Sequence, residues 1–398
     1  MASFGWEEVV SGEWLVKSGQ ILRKADLLET LDATNQQVVL APYRINPLGA
    51  HVDHQGGSVL GRAIDLYTAF AFESAENQVE VTHNQAATPL ALDNQTIGQG
   101  WERYLTGAIN AFRQTHRLDV GLRGTVAGSL LGAGLSSSAS VLLAYLSALA
   151  AVNSVSLTKS DLVELVRQVE NEQLGLNNGV QDQMCIAHGR DDALAVVDSR
   201  NRTVQYAEDP SNVDDICWLL TYSGFSRELV GSGFNSRVAE CRDAARRLDA
   251  NATVLGEVSA ENRAKNWASL PDMLQRRAAH YFTETQRVAA GASLWSQGDW
   301  AEFGRKMNQS CHSSITQYES GSEPVNKLHE IVSSTTGVYG SRFCGGGYGG
   351  CVVALVEQRS AESAAESILE RYLAVYPDKE NIAVTFTVQS ENGVRLLS

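Results

Sequence analysis

Leu131-Gly132-Ala133-Gly134-Leu135-Ser136-Ser137-Ser138-Ala139 runs directly into Val141-Leu142-Leu143-Ala144-Tyr145-Leu146-Ser147-Ala148-Leu149-Ala150. Glycines without Cβ let backbone N–H groups crowd around an anion, and the helix that follows adds unpaired N–H donors and a positive dipole end. The small hydroxyls of Ser136, Ser137 and Ser138 stand where a phosphate would sit. The second stretch is rich in helix formers and apolar on nearly all sides, which predicts a buried helix anchoring the loop. A Gly/Ser turn that merely caps a core helix has the same composition, so other segments must decide. No lysine follows the last glycine, unlike the Walker loop, so the cation meeting a phosphate must come from elsewhere or be a metal.

A chain of 398 residues, 43% hydrophobic, exceeds the size at which one core usually keeps growing, and two domains are expected. The loop-like composition around Asp209-Pro210-Ser211-Asn212 places the division there, giving residues 1–212 and 213–398. The formal net charge of −14 disfavours a role on nucleic acid or an anionic membrane, while leaving room for a local basic pocket. Six cysteines, at 185, 217, 241, 311, 344 and 351, form no CxxC pair, which suits free thiols in a reducing compartment and shows no zinc motif. The N-terminal residues lack a basic and an apolar region, and no run of about 18 apolar residues exists, so a soluble, cytoplasmic protein is expected.

The pattern is mixed α/β. Strands are predicted from Gln36 to Ile45, ending at Asn46-Pro47, and from Val120 to Ala127, with a strand or pair of strands from Val59 to Glu73. Helical spacing marks Trp101 to His116, and Thr158-Lys159-Ser160-Asp161 caps an amphipathic helix that carries Glu170 and Glu172 towards Gly175. In the second half, after a strand from Ile216 to Thr221, helices are predicted at 232–249, 271–292, 299–315 and 360–375, with strands near 340–345, 350–356 and 382–389.

Three further segments join the serine loop. They are Pro42-Tyr43-Arg44-Ile45-Asn46-Pro47-Leu48-Gly49-Ala50-His51-Val52-Asp53-His54-Gln55-Gly56-Gly57, the stretch from Glu170 through Asn178-Gly179-Val180-Gln181-Asp182-Gln183, and Cys344-Gly345-Gly346-Gly347-Tyr348-Gly349-Gly350-Cys351. In order and spacing, over most of the chain, the four resemble the galactokinase branch of the GHMP small-molecule kinases. The resemblance implies an α/β (α+β) architecture of two domains, the first like ribosomal protein S5 and the second ferredoxin-like, with the active site between them. It also implies phosphoryl transfer from ATP with Mg²⁺.

The first segment departs from the galactokinase signature, which continues Leu-Ile-Gly-Glu-His-Thr-Asp-Tyr and closes Asn-Gly-Gly. Ala50 stands at the glutamate position, and His54-Gln55 replaces Tyr-Asn. In galactokinases that glutamate accepts a hydrogen bond from the sugar's 6-hydroxyl. A 6-carboxylate would be repelled by it, at a cost of about a kcal/mol or more in a partly desolvated cleft. The segment is most similar to galacturonokinases, which implies galacturonate as substrate and galacturonate 1-phosphate as product.

Position by position, the resemblance implies Asp182 at the anomeric hydroxyl as base or orienting acceptor. Arg44 would lie beside it, favouring the carboxylate and screening developing charge. Ser138 and Glu170 match the family's Mg²⁺ ligands, hard oxygens for a hard cation. Gly132, Gly134, Ser136, Ser137 and Ser138 would meet ATP. Trp101, with Tyr104, matches an aromatic pair near the adenine, although both equally fit a helix core. Ala50, His51, Asp53, Gly179 and Phe234 would line the sugar, Phe234 replacing the tyrosine that usually touches the 4-hydroxyl. Gly345 to Gly350 reads as a tight turn shaping the site.

A uronate carboxylate calls for a cationic or N–H-rich partner, for which Arg227, Arg237, Arg62, His51 and His54 are candidates. Galactokinase and glucuronokinase are the alternatives within the class. A non-catalytic sugar- and ATP-binding sensor is the alternative outside it, disfavoured by the joint presence of Arg44, Ser138, Glu170 and Asp182. A small sugar acid and ATP are the expected partners, and oligomeric state is not readable from the sequence.

Overall fold

The computed structural model describes residues 21–31, 36–83, 86–93, 96–226 and 233–397. Strands β1 (Gln37–Leu48), β2 (Ser58–Ala75), β3 (Gln78–His83), β4 (Ala86–Ala91), β5 (Gly121–Gly128), β6 (Ala193–Asp198) and β7 (Thr203–Glu208) build the first sheet. It is antiparallel except for the β3–β5 pair, with β6 attached to the near end of β2 and β7 beyond it. The helix Ser137–Val152 lies on β1 and β2, and its Leu142, Leu143, Leu146 and Leu149 are wholly buried, as its unbroken apolar composition requires.

Strands β8 (Ile216–Tyr222), β9 (Val338–Phe343), β10 (Cys351–Glu357) and β11 (Val384–Val388) form a second sheet in the order β11-β8-β10-β9, antiparallel throughout. With helical segments between β8 and β9 and the helix Ala361–Leu373 between β10 and β11, this fourth-first-third-second order is the ferredoxin-like arrangement. The second sheet begins just after residue 212. The final strand β12 (Arg395–Leu397) returns to pair with β1.

The first strand runs three residues beyond its expected end at Ile45. Two shifts of register against β2, one between Pro42 and Tyr43 and one between Ile45 and Leu48, absorb the prolines. Proline offers no N–H to a ladder, and a bulge lets the strand continue past it. All six cysteines are unpaired and buried. Among the described residues no helix is long and apolar enough to cross a membrane.

Candidate functional site

β1 delivers Arg44 and Asn46 to an open cleft. The Arg44 N–H donates to the Leu135 carbonyl at 3.2 Å and its guanidinium to the Gly134 carbonyl at 3.0 Å. The same guanidinium meets Asp182 Oδ1 through Nε at 2.8 Å and through Nη2 at 2.7 Å. One fully buried side chain therefore ties the glycine loop to the carboxylate read as the base. Burial is the largest single influence and alone would loosen the arginine's proton, but the charge and hydrogen bond of Asp182, joined by the nearby Cys344 and Cys185, together outweigh it and raise the proton affinity.

The loop before the helix Ser137–Val152 takes the shape its glycines permit. Gly132 and Gly134 have φ of 68° and 76°, and Ser136, without a glycine's freedom, is held at 64°. Ser136 Oγ is buried and makes no hydrogen bond, and as the residue capping the helix it leaves its side chain out of capping. A strained residue with an orphaned hydroxyl at a helix N-terminus fits an anion cradle better than a plain cap. The third glycine segment packs onto this loop. Cys351 N–H donates to the Ala133 carbonyl at 2.9 Å, and a Cβ on Gly350 would fall 2.3 Å from that oxygen.

Ser138 and Glu170 line the same cleft. Glu170 sits in a π-helical turn, Val169–Gln173, that continues the helix Lys159–Gln168, and such a bulge re-aims a side chain out of the regular face. It is buried and accepts from Asn178 Nδ2 at 2.9 Å. Among the described residues no cluster of three or more histidine, cysteine or carboxylate side chains could hold a metal. One hydroxyl and one carboxylate suit Mg²⁺, which commonly draws its remaining oxygens from phosphate and water.

At the sugar end, Asp53 is held by the Gln181 N–H at 3.3 Å. Burial and the neighbouring Asp182 charge push its carboxyl up to about 6, against the pull of backbone N–H groups and Arg44. Gly179 is obligatory here, since a Cβ would lie 2.4 Å from Asp53 Oδ2. Ala50, His51 and Phe234 also line the cleft. His51 adopts φ of 59°, stacks on Tyr318 with ring centroids 4.3 Å apart, and pairs through Nε2 with Ser320 Oγ at 2.9 Å.

The structure thus gathers Arg44, Ala50, His51, Asp53, Ser138, Glu170, Gly179, Asp182 and Phe234 around one cleft, with Gly345 and Gly346 closing it. Other expected residues fall elsewhere. Arg62 is buried against Asp209 and stacked over Trp295, and Arg237 pairs with Glu240 and Glu319, so neither reaches the sugar end. His54 lies behind Phe234, bonded to the Tyr318 hydroxyl at 3.0 Å and kept neutral by burial, which lowers it to about 3. Arg227 lies outside the described residues. Trp101 packs against His83 at 5.2 Å beside the core and is not part of this lining. Asn46, Gln181 and the Asn178 contact to Glu170 were not singled out from sequence, because side-chain amides carry no distinctive spacing.

Three family models match the chain. These are the GHMP kinase N-terminal domain over residues 103–190, the GHMP kinase C-terminal domain over 289–374, and the galactokinase galactose-binding signature over 29–74. The chain is 35% identical to the galacturonokinase of Arabidopsis thaliana over 387 residues, covering 88% of this chain and 90% of that one. It is 30% identical to the galactokinase of Staphylococcus carnosus, covering 93% and 97%. The crystal structure of Lactococcus lactis galactokinase complexed with galactose superposes with a TM-score of 0.85 at 25% identity, over 94% of this chain and 98% of that one. The chain belongs to the GHMP kinases, the branch bearing the galactose-binding signature. It is a sugar kinase of the galactokinase and galacturonokinase type, a phosphotransferase with an alcohol acceptor.

Proposed function

We propose that the protein uses ATP to phosphorylate the anomeric hydroxyl of D-galacturonic acid, giving galacturonate 1-phosphate and ADP. The observation that carries the choice of sugar is Ala50: a buried, uncharged side chain lines the cleft where galactokinases present a carboxylate. The similarity to a plant galacturonokinase points the same way. His51, braced by Ser320 and Tyr318, is the polar side chain beside Ala50 that lines the same cleft. The galactose reading draws on the galactose-binding signature and the galactokinase fold match, and it requires the 6-hydroxyl to manage without a carboxylate acceptor.

In this reading Asp182 accepts the proton of the 1-hydroxyl while the oxygen attacks the γ-phosphorus and the bond to the ADP oxygen breaks. Arg44 fixes the Asp182 carboxylate and balances its charge. The glycine loop and Ser136 to Ser138 hold the phosphates through N–H and hydroxyl donors. Mg²⁺, held by Ser138 and Glu170, would supply the positive charge that a Walker lysine provides elsewhere. Asp53 accepts from sugar hydroxyls and orients the ring. ADP release from purified protein with Mg·ATP and each of galacturonate, glucuronate and galactose tests the reading, and binding without turnover would favour a sensor.

A further inference from the structure

The turn that meets the sugar is gripped from behind by one helix. On Asp272–Gln297, His280 and Glu284 are one turn apart, so both side chains project from the same face. His280 Nε2 lies 2.9 Å from the Ala50 carbonyl, and Glu284 Oε1 accepts the Gly49 N–H at 2.7 Å. Both residues are fully buried. A carbonyl only accepts, so Nε2 carries the hydrogen and Nδ1 is the acceptor, facing Ser313 Oγ at 2.9 Å, whose single proton is shared between Nδ1 and Gln317 Oε1 at 3.0 Å. The carbonyl thereby fixes which ring nitrogen donates, and the serine hydroxyl supports the other.

The grip has something to hold. Gly49 has φ of 96°, with its Cβ position only 2.6 Å from the Val59 Cα, and His51 is left-handed without being glycine. Such conformations persist only where their surroundings over-determine them. Glu284 is in turn fixed by Ser310 Oγ and by Arg287 Nε, each at 2.6 Å.

We propose that His280 is a positioning residue of the sugar site, its Nε2–H fixing the Ala50 carbonyl and so the path of the Gly49–His51 turn. This rests on the reading that the turn meets the sugar, and not on which sugar it is. Releasing the carbonyl lets the Ala50–His51 backbone relax, which weakens sugar binding while leaving the phosphate loop, held through Arg44 and the third glycine segment, as it was.

The test compares full-length wild type with His280→Leu, His280→Gln and Ser313→Ala. Initial rates of ADP formation are measured with sugar varied at saturating ATP and with ATP varied at saturating sugar, alongside thermal melts and calorimetric sugar binding. His280→Leu should raise the sugar KM about tenfold, the worth of one buried hydrogen bond, and leave the ATP KM within about twofold. His280→Gln, whose side-chain amide keeps an N–H donor, should restore most of the loss. A folded His280→Leu with unchanged sugar KM, or with the ATP KM rising in step, overturns the proposal. If that variant does not fold, Ser313→Ala decides, with a rise of about threefold in sugar KM expected and none overturning it. Calorimetry gives the same contrast if the wild type binds sugar without turnover, which separates a failed clamp from a failed activity. Wild type that binds no sugar overturns both.

Discussion

Arg44 grips Asp182 through two nitrogens, at 2.8 and 2.7 Å, and both land on the same oxygen, Oδ1. Asp182 is thereby oriented as well as charge-balanced, and its side chain remains 24% exposed to the cleft although its partner is buried. Asp182→Asn keeps the shape but removes the basic oxygen. Turnover should fall about 10²- to 10⁴-fold, the range for loss of a general base. Sugar binding by calorimetry should remain measurable, and full activity would remove Asp182 from the chemistry.

Asp53 supplies a pH dependence. Its carboxyl titrates near 6 instead of the ordinary 3.8, because burial and the Asp182 charge favour the protonated form. Below about 6 the group is neutral, and above it the carboxylate can accept two sugar hydroxyls. The kcat/KM for sugar should therefore rise as pH passes from 5 to 7, and Asp53→Asn should flatten that limb. For folding the sign is opposite: a raised value means that this group favours the folded state while protonated, an advantage lost as pH climbs from 3.8 through about 6. Thermal melts across that range, wild type against Asp53→Asn, check the second half.

Ala50→Glu places a carboxylate where the proposed substrate carries one. Like-charge repulsion of about a kcal/mol or more should lower kcat/KM for galacturonate by tenfold or beyond, while galactose use rises or holds. The ratio of the two specificity constants is the readout, and an unchanged ratio would end the charge argument.

Glu170→Gln leaves the Asn178 contact a partner but weakens a hard-cation ligand. The Mg²⁺ concentration giving half-maximal rate should rise about tenfold or more, with the apparent ATP affinity falling in parallel. Ser138→Ala should act in the same direction and more mildly. Titration of activity with Mg²⁺ after removal by chelator checks both.

Much of this was readable from residues in order along the chain. The glycine-serine loop, the capped helix from Thr158 and the alternating segments of the second half all carried local signals, and the structure has those elements within a few residues. The short strands β3, β4, β6 and β7 carry little local signal because they are marginal alone and owe their form to pairing, β3 with β5 and β6 with β2, then β4 on β3 and β7 on β6. The site was legible where residues cluster in motifs, as from Arg44 to Asp53 and from Glu170 to Asp182. It was not legible where a contact spans the chain. Nothing local to His280 or Ser320 announces that one holds Ala50, 230 positions away, and the other His51, 269 positions away. For the same reason Arg62 looks available to a uronate: its partner, Asp209, is distant in sequence, whereas Arg237 has one partner, Glu240, a single helical turn away and another, Glu319, far along the chain.

Direct competition between the two sugars tests the preference for galacturonate most plainly. Purified protein with Mg·ATP and equal concentrations of galacturonate and galactose, followed by NMR of the sugar phosphates, should yield chiefly galacturonate phosphorylated at C1. Chiefly galactose 1-phosphate would leave a sugar kinase whose Ala50 does not select a uronate.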